Sequence, residues 1–190
     1  LLTIPWLAIS RNAALWAVWV VVASRALGLY GLLVLGPLYG WAPVLCLLAV
    51  GNGAVLGLRE WAAARAVPWV AAGWTRHVLL AAVLGLLFSP AVHHVVSDDG
   101  TRGGWVALAL FLAAAGGLGW LHVRRVPDLA AVAVSVLYGC LLASAVVGRQ
   151  ALDEMTGLGL LCFSIALVGI FGTGALVLRH CHRAQEAAHG

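Results

Sequence analysis

The stretch GLGLLCFSIALVGIFGTGALVLRHCHR, Gly157–Arg183, decides the class of this protein. It runs from Gly157 to Leu178 without a charged side chain and then ends in the basic sequence RHCHR. A helix that crosses a hydrocarbon core of about 30 Å needs about 20 apolar residues. No helix in a water-soluble core needs that length. The stretch therefore predicts a membrane-spanning helix.

The composition of the whole chain extends this prediction. Of the 190 residues, 63% are hydrophobic and 9% are charged, whereas about a quarter of the residues of a soluble domain are charged. This much apolar surface needs lipid to cover it. The net charge of +4 is spread between apolar runs, which is not the pattern of a nucleic-acid-binding surface. Because the first residue is Leu1, we expect a processed form or part of a longer protein.

Successive apolar runs predict an all-α, polytopic transmembrane bundle of about six spans in one domain, 1–190. The expected spans are residues 13–35, 42–58, 77–96, 104–122, 129–147 and 157–178. Residues 59–76 alternate tryptophan with arginine, which is typical of a segment lying at the membrane interface.

The register of the first two spans has an alternative, in which they cover 5–24 and 27–48 and Arg11, rather than Arg25, lies inside the membrane. Gly36–Trp41, the sequence GPLYGW, favours the first register because glycine and proline next to aromatic residues are typical of a turn at the membrane surface.

The arginines predict the orientation. With alternating spans, one face collects Arg11, Arg59, Arg65, Arg76, Arg124, Arg125, Arg179 and Arg183. The opposite face has Arg102 and Arg149 together with Asp98, Asp99, Asp153 and Glu154. Since the basic face of a membrane protein lies in the cytoplasm, we expect both termini there.

Arg25 and Asn52 are the candidate binding residues. A charge inside the hydrocarbon costs about 2.5–3.5 kcal/mol, so Arg25 is expected either to extend to an interface or to face inward, with Asn52, Tyr30 or Glu60 as its partner. The inward position would let Arg25 contact an anion or a lipid headgroup. Asn52 is expected to hydrogen-bond across a helix interface, with a substrate contact as the alternative.

Four histidines are candidate haem or metal ligands at the predicted cytoplasmic edge: His77, His122, His180 and His182. Two imidazoles at matching depth, such as His77 and His122, are the ligands that a haem between helices uses. Histidine is also common at membrane interfaces for its amphipathic ring. No cofactor is therefore predicted, and haem or a metal remains an alternative.

Small residues recur at four-residue spacing in three of the spans. The sets are Ala49, Gly53 and Gly57; Ser135, Gly139 and Ala143; and Ala115 and Gly119. Such stripes let helix backbones approach closely. They predict helix packing within the bundle, in a homo-oligomer or with other membrane subunits.

The last third of the chain resembles the C-terminal parts of uncharacterised bacterial polytopic inner-membrane proteins, a domain of unknown function. The resemblance is carried by RRVPDLAAVAVSVLYG, Arg124–Gly139, and by LDEMTGLGLLCFSIALVGIFGTGALVLRHCHR, 152–183. It implies a multi-pass protein of the bacterial inner membrane and no functional residue.

The sequence contains no catalytic signature such as G-x-S-x-G, a P-loop or H-E-x-x-H, so no catalytic residue is predicted. The leading hypothesis is a non-catalytic scaffold or subunit that packs through the small-residue faces. The first alternative is a transporter or lipid-handling protein that uses Arg25 and Asn52. The second is a haem or metal redox subunit that uses the histidines.

Overall fold

The structure, a computed structural model, describes residues 13–65, 73–97, 102–124, 128–154 and 157–189. These residues form helices and short connections, and no strand occurs among them. The helices are α1 Ala13–Tyr30, a π-helical turn Gly31–Leu35, α2 Gly36–Tyr39, α3 Trp41–Ala64, α4 Gly73–Ser97, α5 Arg102–Arg124, α6 Leu129–Glu154 and α7 Gly157–His189. The predicted all-α class is confirmed.

Six segments within the described residues are long and apolar enough to cross a membrane. They are Val18–Leu35, Trp41–Ala64, Gly73–Ser97, Gly103–Arg124, Leu129–Ala151 and Gly159–Arg183, with mean hydropathies of 1.8 to 2.3. The chain is therefore a multi-pass integral membrane protein, and its described residues contain the predicted number of spans. Which side each terminus occupies stays a prediction.

The first two spans are separated at Gly40, which has φ +80. This left-handed backbone conformation favours glycine because it has no Cβ, and the Gly40 N–H donates to the Gly36 carbonyl at 2.8 Å. The break lies in the turn predicted at 36–41. It also lies inside the alternative span 27–48, so the helices follow the first register.

Both ends of the segment 59–76, which was predicted to lie at the interface, belong to the neighbouring helices. Residues 59–64 continue α3, and residues 73–76 form the start of α4. Residues 66–72 lie outside the described part of the chain. The helices extend because Ala62–Ala64 have high helix propensity and because the charged residues at this end bind one another, as shown below.

The chain divides into two compact units, Leu1–Leu86 and Leu87–Gly190, and each is described by itself. The predicted single domain over 1–190 stays a prediction. In unit 1, α1 and the π-helical turn pack on α3. A Cβ at Gly31 would lie 2.6 Å from Val44 Cγ1, so only glycine allows this close approach.

Unit 2 contains the end of α4 and helices α5 to α7. Phe111 is fully buried and its ring centroid lies 6.0 Å from that of Phe88. A Cβ at Gly119 would lie 3.7 Å from Ser135 Cβ, so the small-residue stripes of the fourth and fifth spans meet. A Cβ at Gly174 would lie 2.9 Å from Cys140 Sγ, so α7 approaches α6 still more closely at this point.

Candidate functional site: a cavity in unit 1

A cavity of about 890 Å³ lies between α1, α3 and α4 in unit 1. This volume is at the upper end of the range of about 300–1,000 Å³ that small-molecule sites have. Five charged, amide or hydroxyl side chains line it, Ser24, Arg25, Asn52, Arg59 and Thr75, and the remaining lining is almost entirely aliphatic or aromatic. Arg25 and Asn52, the two binding candidates from the sequence, therefore line the same cavity.

Asn52, which lines this cavity, joins two helices. It is 5% exposed, its Oδ1 accepts a hydrogen bond from Ser24 Oγ at 3.1 Å, and its Nδ2 donates to the Leu48 carbonyl at 2.9 Å. This is the bond across a helix interface that the sequence predicts. It satisfies a buried amide that would otherwise destabilise the bundle.

Arg25 follows Ser24 in the sequence but does not bond to Asn52. Successive residues of a helix are rotated by about 100°, so Ser24 reaches α3 while the exposed Arg25 side chain lines the cavity. No hydrogen bond or ion pair joins Arg25 to another described residue. None of the candidate inward partners, Asn52, Tyr30 or Glu60, is therefore bonded to Arg25 in the part of the chain that the structure describes, and extension to an interface stays a prediction.

Glu60 is instead held by two other arginines. Arg76 Nε donates a hydrogen bond to Glu60 Oε1 at 2.8 Å, and Arg76 Nη2 donates one to Glu60 Oε2 at 2.9 Å. This paired geometry makes arginine–carboxylate bonds strong. Arg59 also donates to Glu60, and its Nε donates to Thr75 Oγ1 at 3.4 Å. This group of Arg59, Glu60, Thr75 and Arg76, here called the arginine–glutamate cluster, joins the end of α3 to the start of α4.

Sequence reasoning missed the arginine–glutamate cluster, although a signal for it was present. Glu60 is the sole acidic residue before Asp98. A single carboxylate in a stretch that contains five arginines has a strong electrostatic reason to bind one of them. Which arginine it binds depends on how α3 and α4 pack, and that is a tertiary property.

The charge of the chain is concentrated in unit 1. Residues 1–86 contain five arginines and one acidic residue, which gives +4, whereas residues 87–190 contain six of each. Of the two arginines that line the cavity, Arg59 has the Glu60 carboxylate beside it and Arg25 has none. The cavity therefore carries one guanidinium charge that the unit itself does not balance.

The predicted histidine ligands are distributed over both units. His77 is half-buried on α4 in unit 1, and His180 and His182 are exposed on α7 in unit 2. His122, also in unit 2, is 2% exposed, and its Nδ1 donates to the Leu118 carbonyl at 2.7 Å.

No group of three or more His, Cys, Asp or Glu side chains placed to hold a metal occurs among the described residues. Nδ1 of His122 is engaged within its own helix, which leaves Nε2 as the nitrogen that could bind a ligand. The haem and metal roles stay predictions.

Comparison of the chain with protein-family models, with curated proteins and with solved structures found no match. The resemblance of the C-terminal third to bacterial inner-membrane proteins therefore stays a prediction.

Proposed function

We propose that this protein is a lipid-handling protein whose unit 1 binds one membrane lipid in the cavity between α1, α3 and α4. The observation that carries the proposal is that Arg25 and Asn52 line the same, otherwise apolar, cavity. The bacterial inner membrane is the proposed location, in keeping with the resemblance of the C-terminal third.

The shape of the cavity supports a long apolar ligand. Its lining on α3 runs from Leu45 to Ala62, which at 1.5 Å per residue is about 26 Å along the helix axis. The hydrocarbon core of a bilayer is about 30 Å thick. A cavity that follows a helix over most of that depth matches an acyl chain better than a compact solute.

The chemistry of the walls supports the same choice over transport of a small polar solute. A solute pathway is lined by groups that replace its hydration. In this cavity the Ser24 hydroxyl and the Asn52 amide already bond to protein atoms. Aliphatic walls with few polar groups fit the acyl part and the headgroup of a lipid.

The test is the lipid that remains bound after purification in mild detergent, measured by native mass spectrometry. We expect one lipid per protein. Ala82→Phe adds a ring to the cavity wall and should reduce occupancy severalfold, because the ring takes the volume of the acyl chain. Ala54→Phe adds the same ring on the exposed side of α3, outside the cavity lining, and should leave occupancy unchanged. Absence of lipid from the wild type, or equal occupancy in Ala82→Phe, would overturn the proposal.

A second candidate, a scaffold that assembles through helix faces, is favoured by the glycines of α3. A Cβ at Gly53 or Gly57 would meet no atom within 4 Å, so this part of the predicted stripe is open to another helix. Gly53→Leu should convert an oligomer to a monomer in light scattering if this face forms the contact. A wild-type monomer would contradict the scaffold role.

A further inference from the structure

We infer that the lipid held in unit 1 is anionic and that the Arg25 guanidinium binds the phosphate of its headgroup below the membrane surface. The inference rests on the proposed function and adds to it the charge of the ligand and the residue that selects it.

The charge balance of unit 1 is the first support. A guanidinium keeps its charge in proteins, and the single carboxylate of residues 1–86 is bonded to Arg59 and Arg76. The part of the chain that precedes Leu86 therefore contains no second carboxylate for Arg25. A phosphate on a ligand supplies the negative charge and accepts the paired hydrogen bonds that a guanidinium donates.

The depth of Arg25 is the second support. It is the one charged residue in the span Val18–Leu35, seven residues from one end and ten from the other, or about 10 and 15 Å along the helix. A charge at that depth is costly in hydrocarbon. A cavity that admits a headgroup places the charge beside a counter-ion and lowers that cost.

The neighbouring polar groups leave Arg25 as the group that binds the phosphate. The Ser24 hydroxyl donates to Asn52 Oδ1, and Asn52 Nδ2 donates to a backbone carbonyl. The charge of Arg59, which also lines the cavity, is offset by Glu60. The site thus fits one monoanionic headgroup at Arg25, and the aliphatic walls select a lipid over a free inorganic anion.

The experiment measures headgroup preference. The full chain is placed in nanodiscs that contain equal amounts of phosphatidylglycerol, which is anionic, and phosphatidylcholine, which is zwitterionic, with matched acyl chains. The lipid retained after extraction is then counted by native mass spectrometry.

We expect the wild type to retain phosphatidylglycerol over phosphatidylcholine by about tenfold, a difference of 1.4 kcal/mol. Arg25→Gln should lower this ratio to about one, and Arg25→Lys, which keeps the charge, should restore part of it. Arg65→Gln is the matched control, since Arg65 is exposed, lies over the Trp61 ring and does not line the cavity. Its ratio should equal that of the wild type.

The outcomes separate the two proposals. If the wild type retains lipid with no preference, or if Arg25→Gln keeps the preference, the anionic inference is wrong while the lipid cavity stands. If no lipid is retained, the proposed function fails. If millimolar inorganic phosphate removes the preference, the site binds a free anion and the inference is also wrong. The wild-type ratio tests the charge of the lipid whether or not a variant folds, and a ratio in Arg25→Lys equal to that of the wild type would count against Arg25 if Arg25→Gln fails to fold.

Discussion

The arginine–glutamate cluster gives the sharpest stability prediction, through the substitution Glu60→Gln. The change keeps the shape of the side chain and removes its charge. Arg59 and Arg76, whose side chains are 3% and 16% exposed, would then share a neutral amide. The amide oxygen accepts one of the hydrogen bonds that the carboxylate accepts, and the two guanidinium charges face each other without compensation.

The expected loss follows from the burial of the three side chains. Removing one partner of a buried ion pair costs about 3–5 kcal/mol because a charge is left without its partner. The Glu60 side chain is 25% exposed, so water can reach the guanidinium groups beside it, and we expect the lower end of that range, about 3 kcal/mol. For a chain of this size, that corresponds to a fall in Tm of roughly 6–12 °C.

The assay is unfolding by SDS in mixed micelles, followed by tryptophan fluorescence, for a double-mutant cycle. Glu60→Gln and Arg76→Gln are measured singly and together. The double variant removes one of the two uncompensated charges. Its loss of stability should therefore be smaller than the sum of the two single losses by about 1 kcal/mol or more. Arg65→Gln is the control and should lose no more than about 1 kcal/mol, the value of an exposed cation–π contact.

Either of two results would contradict a stabilising role for the cluster. A Glu60→Gln protein within about 0.5 kcal/mol of the wild type, the range of ordinary surface substitutions, would mean that the cluster contributes little. Additive losses in the cycle would mean that Glu60 and Arg76 act independently and that their bidentate geometry carries no coupling.

Two further predictions concern helix packing. Gly174→Leu should destabilise the protein by about 1–3 kcal/mol in the same unfolding assay, because a Cβ there would lie 2.9 Å from Cys140 Sγ and overpacking has that cost. Gly172→Leu is the control, since a Cβ there meets no atom within 4 Å, and it should change stability by less than about 0.5 kcal/mol. Equal effects at the two glycines would contradict the close packing. The cycle of Ser24→Ala and Asn52→Leu should give a coupling energy of about 0.6 kcal/mol, typical of hydrogen bonds between membrane helices, and a coupling of zero would mean that the bond contributes nothing to stability.

The spans were predictable from the sequence because hydropathy over about 20 residues is a local property. Each of the six apolar runs predicted from the sequence overlaps a helix of the structure, and the turn at 36–41 has the Gly40 break inside it. The ends of the helices at 59–76 were not predictable in this way. They depend on the pairing of Glu60 with Arg76, sixteen residues away.

The sequence singles out two residues that line the cavity, Arg25 and Asn52, but not how they are arranged. Arg25 and Asn52 stand out because polar groups are rare in membrane spans and usually functional. That Ser24 rather than Arg25 bonds to Asn52 depends on the rotation of α1 about its axis. The cavity depends on how three helices pack, which neither composition nor spacing determines.

Four hydroxyl groups of unit 2 bond within their own helices. Ser135, Ser144, Ser164 and Thr173 each donate to the carbonyl four residues earlier in their own helix. Such bonds satisfy a hydroxyl locally and require no neighbouring helix.

In unit 1, Ser24 bonds to Asn52 and Arg59 bonds to Thr75, each between two helices, and unit 2 has a comparable bond from Arg149 Nη1 to the Val95 carbonyl at 2.7 Å. Bonds of this kind fix the positions of α1, α3 and α4 around the cavity. A site that must hold a ligand needs such supporting bonds, since a wall that moves loses its geometry. The polar bonds that connect helices in unit 1 are therefore those that a lipid site at Arg25 would need.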